Sequence, residues 1–188
     1  MAEKRVEALG MLELSSIAVA YRVEDAMLKA ADVQLLVART ICSGKYIVMV
    51  GGQPRAVESA VNAGKGVAAE ALIDELLIPD VDPRVFPAIT ASVSLRPEEK
   101  DALGILEAFS VTSIIEGADA AVKAANVTLF RIHVAMAIGG KGFLMLTGRL
   151  SDVESAIEAG ARKIAERGLL VSRVVIPRPE DRLYADTI

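Results

Sequence analysis

The hexapeptide ALGMLE at residues 8–13 is repeated almost unchanged as ALGILE at residues 102–107, and this repeat decides the fold. At the same shift of 94 residues, DAMLKAADVQLL (25–36) becomes DAAVKAANVTLF (119–130). Two further pairs follow in the same order at a shift of 96: GKYIVMVGG (44–52) with GKGFLMLTG (140–148), and VESAVNAG (57–64) with VESAIEAG (153–160). Because the matches keep their order across both halves, the sequence predicts two homologous domains, residues 1–93 and 94–188.

Each predicted domain has the same succession of hydrophobic patterns. An apolar strand is followed by an amphipathic helix that begins near a serine, Ser15 or Ser16 in the first domain and Ser110 in the second. Two apolar strands joined by a Gly–Lys turn come next, then a second helix and a last strand at 72–78 or 170–176. This order predicts an α/β (α+β) fold of two tandem ferredoxin-like β-α-β-β-α-β domains, each with a mixed sheet and both helices on one face.

Composition narrows the class of protein. The 188 residues are 53% hydrophobic but only 4% aromatic, and a net charge of −4 offers no basic surface to a nucleic acid. Apolar runs stay below the roughly 18 residues that a membrane span needs. A single cysteine without an export signal predicts the reducing cytosol. Since a domain of this size buries only about 60–65% of its extended-chain surface, we expect an oligomer.

The repeats, together with the closing VIPRP at 175–179, resemble the domain of bacterial microcompartment shell proteins. Two copies in one chain are similar to the tandem-domain type of that family. The resemblance implies a homotrimer with pseudo-sixfold symmetry that is not an enzyme. It would be a tile that packs with other shell proteins around a compartment in the cytoplasm. The first domain reads LIPDVDP (77–83) in place of VIPRP, so an edge contact by Arg178 is expected to lack a counterpart there.

The stretch TICSGK (40–45) holds the only cysteine of the chain. One thiol closes neither an intrachain disulfide nor a metal site, and Cys42 taken alone reads as a small buried hydrophobic residue. TICSGK with AIGGK (137–141) is similar, however, to an iron–sulfur subgroup of the family from propanediol-utilisation compartments. That resemblance implies one 4Fe–4S cluster per trimer, bound on the axis by Cys42 of three chains. The repeat places Met136 or a close neighbour opposite Cys42, so a trimer has three such thiols rather than six.

One Gly–Lys turn joins the paired strands of each domain. Its glycines are expected to adopt positive φ, as a tight hairpin requires, and neither turn has the glycine spacing of a phosphate-binding loop. The resemblance further implies that both turns ring a central pore of the trimer. The predicted pore-lining residues are Ser43, Gly44, Lys45, Gly139, Gly140 and Lys141.

Lys29 and Lys123 occupy the same repeat position, late in the first helix of each domain. A lysine there is ordinarily solvated and favoured by the negative end of the helix. The resemblance implies a second role at the tile edge, where the ammonium reaches backbone carbonyls of the next tile and Arg178 is the neighbouring contact.

His133, the only histidine, lies in an apolar strand opposite Arg39 of the first domain. It is interpreted as a structural residue rather than a ligand, because no second histidine or cysteine accompanies it. The sequence contains no catalytic constellation within one chain.

Three functions are compatible with the sequence. The favoured one is a shell tile with a cluster in its pore, which passes electrons across the shell or helps a damaged cluster to be exchanged. The second is a metal-free pore for small metabolites, in which Cys42 is merely small and polar. The third, from another class, is a ferredoxin-like sensor or enzyme that binds a ligand between its two domains.

Overall fold

The chain divides into two compact units, Met1–Pro83 and Arg84–Ile188, and the computed structural model describes residues 6–134 and 138–184. The predicted boundary between residues 93 and 94 stays a prediction. The first unit contains β1 (Ala8–Leu14), α1 (Ile17–Ala30), β2 (Gln34–Ile41), β3 (Lys45–Gly52), α2 (Pro54–Ala68) and β4 (Leu72–Ile78). The second contains α3 (Val85–Ile89), β5 (Ala102–Ala108), α4 (Val111–Ala124), β6 (Thr128–Val134), β7 (Gly142–Gly148), α5 (Leu150–Ala165) and β8 (Leu170–Ile176).

Each unit is built on one four-stranded sheet, with strand order β2-β3-β1-β4 or β6-β7-β5-β8. The β-α-β-β-α-β succession and the last strands predicted at 72–78 and 170–176 are confirmed. The predicted mixed sheet is wrong, because every pair of neighbouring strands is antiparallel. The parallel strands β1 and β2 do not pair with each other, since β3 lies between them.

Both predicted serine starts are confirmed. The Ser16 hydroxyl accepts a hydrogen bond from the Val19 amide at 3.4 Å, and the Ser110 hydroxyl accepts one from the Ser113 amide at 3.3 Å. Each bond satisfies one of the amides that the first turn of a helix leaves without an intrahelical partner. The two first helices therefore begin at equivalent positions and place equivalent residues on equivalent faces.

The helices of each unit pack against one another and against the same face of the sheet. In the first unit the shared core draws on β1, α1 and α2, with Leu12, Met27 and Val57 fully buried. Helix packing in the second unit is close enough to require glycine at position 160. A Cβ there would lie 2.7 Å from the Gly117 carbonyl oxygen.

Candidate functional site

Cys42 lies in a short 3-10 turn, Cys42–Gly44, that joins the antiparallel strands β2 and β3. The strands pair as far as Ile41 and Lys45, so the three turn residues form the whole connection. Cys42 is half-buried, whereas Ser43 and Gly44 are exposed. The thiol therefore lies at the end of a tightly closed hairpin, next to two exposed residues.

The backbone of this turn is left-handed at two successive residues. Ser43 has φ 65° and ψ 25°, and Gly44 has φ 72°. Glycine adopts this conformation freely, but for serine it costs roughly 1–2 kcal/mol. The positive φ predicted for the glycines of both turns is confirmed, with 68° at Gly139 and 84° at Gly140. Ala69 and Ala91 also have positive φ, at 48° and 52°, so the left-handed serine defines the shape of this turn and does not by itself mark a binding site.

An ion pair fixes the end of each hairpin to the neighbouring central strand. The Lys45 Nζ lies 2.8 Å from Glu13 Oε1, and the Glu13 side chain is only 7% exposed. The repeat-equivalent atoms, Lys141 Nζ and Glu107 Oε1, are 2.9 Å apart. Both are diagonal pairs across antiparallel strands. Sequence reasoning missed the carboxylates, although both close the repeated hexapeptides ALGMLE and ALGILE.

The described part of one chain does not supply a complete metal site. No group of three or more His, Cys, Asp or Glu side chains converges anywhere in residues 6–134 and 138–184. Thiolates are nevertheless the usual ligands of iron–sulfur clusters, and Cys42 lies half-buried in the turn at the end of a hairpin. With one cysteine thiolate per chain, the residues fit an iron–sulfur cluster only if several chains each contribute their Cys42. The Met136 region, predicted as the counterpart of Cys42, lies outside the described residues.

The two predicted tile-edge lysines each pair with an aspartate one turn earlier in the same helix. Lys29 Nζ is 2.7 Å from Asp25 Oδ2, and Lys123 Nζ is 2.8 Å from Asp119 Oδ2. The spacing was present in the repeated D-x-x-x-K pattern, which the sequence reasoning did not use. Arg178 is exposed just after β8. The edge role of all three cations stays a prediction.

Aromatic contacts account for two other polar side chains near the hairpins. The His133 ring stacks on Phe143 with ring centroids 5.0 Å apart and planes inclined by 15°. Tyr46 is buried beside Tyr21, with ring centroids 5.6 Å apart. Burial, followed by the charge of Glu24, raises the pKa of Tyr46. These groups serve packing at the strand ends.

One open cavity of the second unit holds about 320 Å³ between Lys100, Phe130 and Tyr184. Nowhere in the described residues is a helix long and apolar enough to cross a membrane.

Comparison with known proteins gives consistent matches over the whole fold. The family model of the BMC domain matches twice, at residues 8–81 and 102–179. The chain is 44% identical to the bacterial microcompartment shell protein PduT of Citrobacter freundii, over 97% of this chain and 98% of that protein. A solved microcompartments protein from Desulfitobacterium hafniense DCB superimposes with a TM-score of 0.90 at 47% identity, covering 95% of this chain and 98% of that one. The bacterial microcompartment shell protein EutM of Escherichia coli is 40% identical over 44% of this chain and 84% of its own length.

Proposed function

This chain belongs to the BMC-domain family of bacterial microcompartment shell proteins, and we propose that three copies form a tile with one 4Fe–4S cluster bound by their Cys42 thiolates. The shell role itself follows from the family, whose relatives compared above are named as shell proteins. The homotrimer, the cluster and its use are the proposal.

The observation that carries the proposal is the form of the Cys42 turn. The only thiol of the chain is half-buried at the end of a hairpin, beside a serine held in a left-handed conformation. Threefold symmetry brings three copies of the turn together, and a trimer then offers the thiolates that one chain lacks.

Residues around the thiol have separate tasks in this proposal. The Glu13–Lys45 pair anchors the first residue of β3, so that the turn has one position relative to the sheet. The exposed backbone of Ser43 and Gly44 offers amides close to the sulfur, and hydrogen bonds to sulfur atoms tune the potential of an iron–sulfur cluster. With three protein ligands, one iron of the cluster takes a ligand that is not protein.

When bound, such a cluster supplies one-electron transfer. A tile spans the shell, so the same site serves as an electron conduit between the two sides, or as a place where a damaged cluster is exchanged.

The ion pair of Lys45 with Glu13 favours a second candidate function, the metal-free pore. An ammonium already neutralised by Glu13 is less available to offset the charge of three thiolates.

Replacement of the thiol separates the two candidates. Cys42→Ser and wild type are purified without oxygen and reconstituted with iron and sulfide, and bound iron, visible absorbance and mass in solution are measured. We expect a brown wild-type trimer and a colourless trimeric variant, because hydroxyls are poor ligands for these irons. Equal iron in both proteins contradicts the cluster site. A colourless wild-type trimer supports the metal-free pore.

A further inference from the structure

Lys45 belongs to the same hairpin as Cys42, but its ammonium is bonded to a different strand. The strands β2 and β3 pair as far as Ile41 and Lys45, so Lys45 is the third residue after Cys42. A chain reversal of this size keeps the Cα atoms of residues i and i+3 within about 7 Å of each other. The Lys45 Nζ nevertheless lies 2.8 Å from Glu13 Oε1 on β1, and β3 separates β1 from β2. This cation of the thiol hairpin therefore has a carboxylate partner on the far side of β3.

The carboxylate of this pair is buried. The Glu13 side chain is 7% exposed and that of Lys45 is 34% exposed. Charges away from water attract one another more strongly than surface charges, and dissolved salt screens them less. Asp74 stands opposite Glu13 in the register of β1 on β4, so a second acidic residue adds to the attraction for the ammonium. The Lys45 ammonium is consequently held at Glu13, where its charge is cancelled.

The second unit repeats the ion pair with less burial and in different surroundings. The Lys141 and Glu107 side chains are 38% and 35% exposed. Lys141 Nζ also lies 5.8 Å from the centroid of the Phe109 ring, whereas Ser15 holds the repeat position of Phe109 in the first unit. The hairpin that carries the thiol is thus the one with the more buried carboxylate.

We propose that Glu13 sets the reduction potential of the Cys42 site by cancelling the charge of Lys45. This inference rests on the proposed trimer and cluster, and Glu13 is a positioning residue in it, which acts through Lys45 rather than as a ligand. Each chain contributes one thiolate and one neutralised ammonium, so Lys45 does not offset the negative charge of the three thiolates. Net charge is one of the quantities that set the potential of an iron–sulfur site. Uncompensated thiolates oppose the addition of an electron, and Glu13 therefore keeps the potential low.

Removal of the Glu13 carboxylate reverses this effect. In Glu13→Gln the amide does not neutralise Lys45, whose ammonium keeps its charge. The flexible four-carbon stem of lysine lets that charge move toward the turn, and three chains bring three such charges to the site. Positive charge near the thiolates favours the reduced form, which carries one more electron. The reduction potential is therefore expected to rise.

A redox titration of reconstituted trimers tests this inference. Wild type, Glu13→Gln and the double variant Glu13→Gln, Lys45→Gln are loaded with iron and sulfide without oxygen, and native mass spectrometry measures chains and bound cluster in each. The ratio of reduced to oxidised cluster is then followed by visible absorbance at controlled potentials. For Glu13→Gln we expect this ratio at a fixed potential to increase about tenfold or more, equal to a shift of about 59 mV for one electron.

The double variant separates the effect of charge from that of turn geometry. It lacks both charges of the pair and so has the same net charge as the wild type, to whose potential it is expected to return. A double variant that stays shifted like Glu13→Gln overturns the charge mechanism, because altered geometry then explains the shift. Equal potentials in wild type and Glu13→Gln overturn it as well.

Glu107→Gln is the matched control in the second unit. Since the Lys141–Glu107 pair is more exposed, water and salt screen the charge that this variant leaves on Lys141, and we expect a smaller increase in the ratio than for Glu13→Gln. An equal or larger increase contradicts the role of burial. A wild-type protein that binds no cluster overturns the proposed function and this inference together. A cluster whose potential is independent of Glu13 overturns this inference alone.

Discussion

The Lys45 ammonium lies 2.8 Å from the Glu13 carboxylate, and the duplication repeats this pair as Lys141 with Glu107 at 2.9 Å. The two pairs differ in burial, because the Glu13 side chain is 7% exposed and that of Glu107 is 35% exposed. One chain thus contains the same ion pair in two environments, beside a turn with a thiol and beside a turn without one.

Glu13→Gln is expected to destabilise the fold more than Glu107→Gln does. Removal of a buried charge leaves its partner uncompensated, whereas exposed pairs contribute little. Because Lys45 remains 34% exposed and water can reach it, we expect a loss of about 1–2 kcal/mol for Glu13→Gln and under about 1 kcal/mol for Glu107→Gln. Urea unfolding of both variants measures the difference. A larger loss of unfolding free energy for Glu107→Gln than for Glu13→Gln would contradict the stronger role of the buried pair.

The double variant Lys29→Ala, Lys123→Ala is expected to keep the trimer but to lose extended sheets. Each lysine forms an i,i+4 helix pair with Asp25 or Asp119, and a pair of this kind is worth about 0.3–0.5 kcal/mol. A tile-edge contact, by contrast, recurs around every tile. Electron microscopy of assembled sheets measures the effect. The control is Lys163→Ala, another helical lysine with an adjacent carboxylate partner, Glu166. Normal sheets from the double variant contradict the edge role.

Alkaline pH is expected to destabilise the fold through Tyr46. Burial and the charge of Glu24 raise the pKa of Tyr46 in the folded state, so folding favours the neutral phenol. This contribution to stability is complete below the unfolded-state pKa of about 10 and is lost as pH rises through the higher folded-state pKa. Tyr46→Phe should therefore weaken the fall in unfolding free energy above pH about 10. Identical pH dependence in wild type and variant, measured by urea unfolding, contradicts this cause.

Most of the fold could be predicted from the internal repeat and from the spacing of the hydrophobic residues. Each copy of ALG-x-LE marks a central strand, and the serines mark the helix starts that the structure confirms. Periodicity does not reveal which strands become neighbours, so the predicted mixed sheet was wrong where β3 separates β1 from β2.

The candidate site was less accessible to sequence reasoning. Glu13 and Lys45 are 32 residues apart and meet only through the register of β1 on β3. The left-handed serine is likewise a property of the closed hairpin, since serine by itself does not favour positive φ. The role of Cys42 depends on copies of the chain, because a single thiol acquires partners only through symmetry.

Native mass spectrometry of the protein, purified without oxygen and reconstituted with iron and sulfide, tests the central claim most directly. It weighs the assembly and its bound inorganic atoms in one measurement. The cluster proposal predicts three chains plus the mass of one 4Fe–4S cluster, and three chains alone for Cys42→Ser. Wild-type trimers with no added mass would contradict the proposal. Iron retained by the Cys42→Ser variant would contradict it as well.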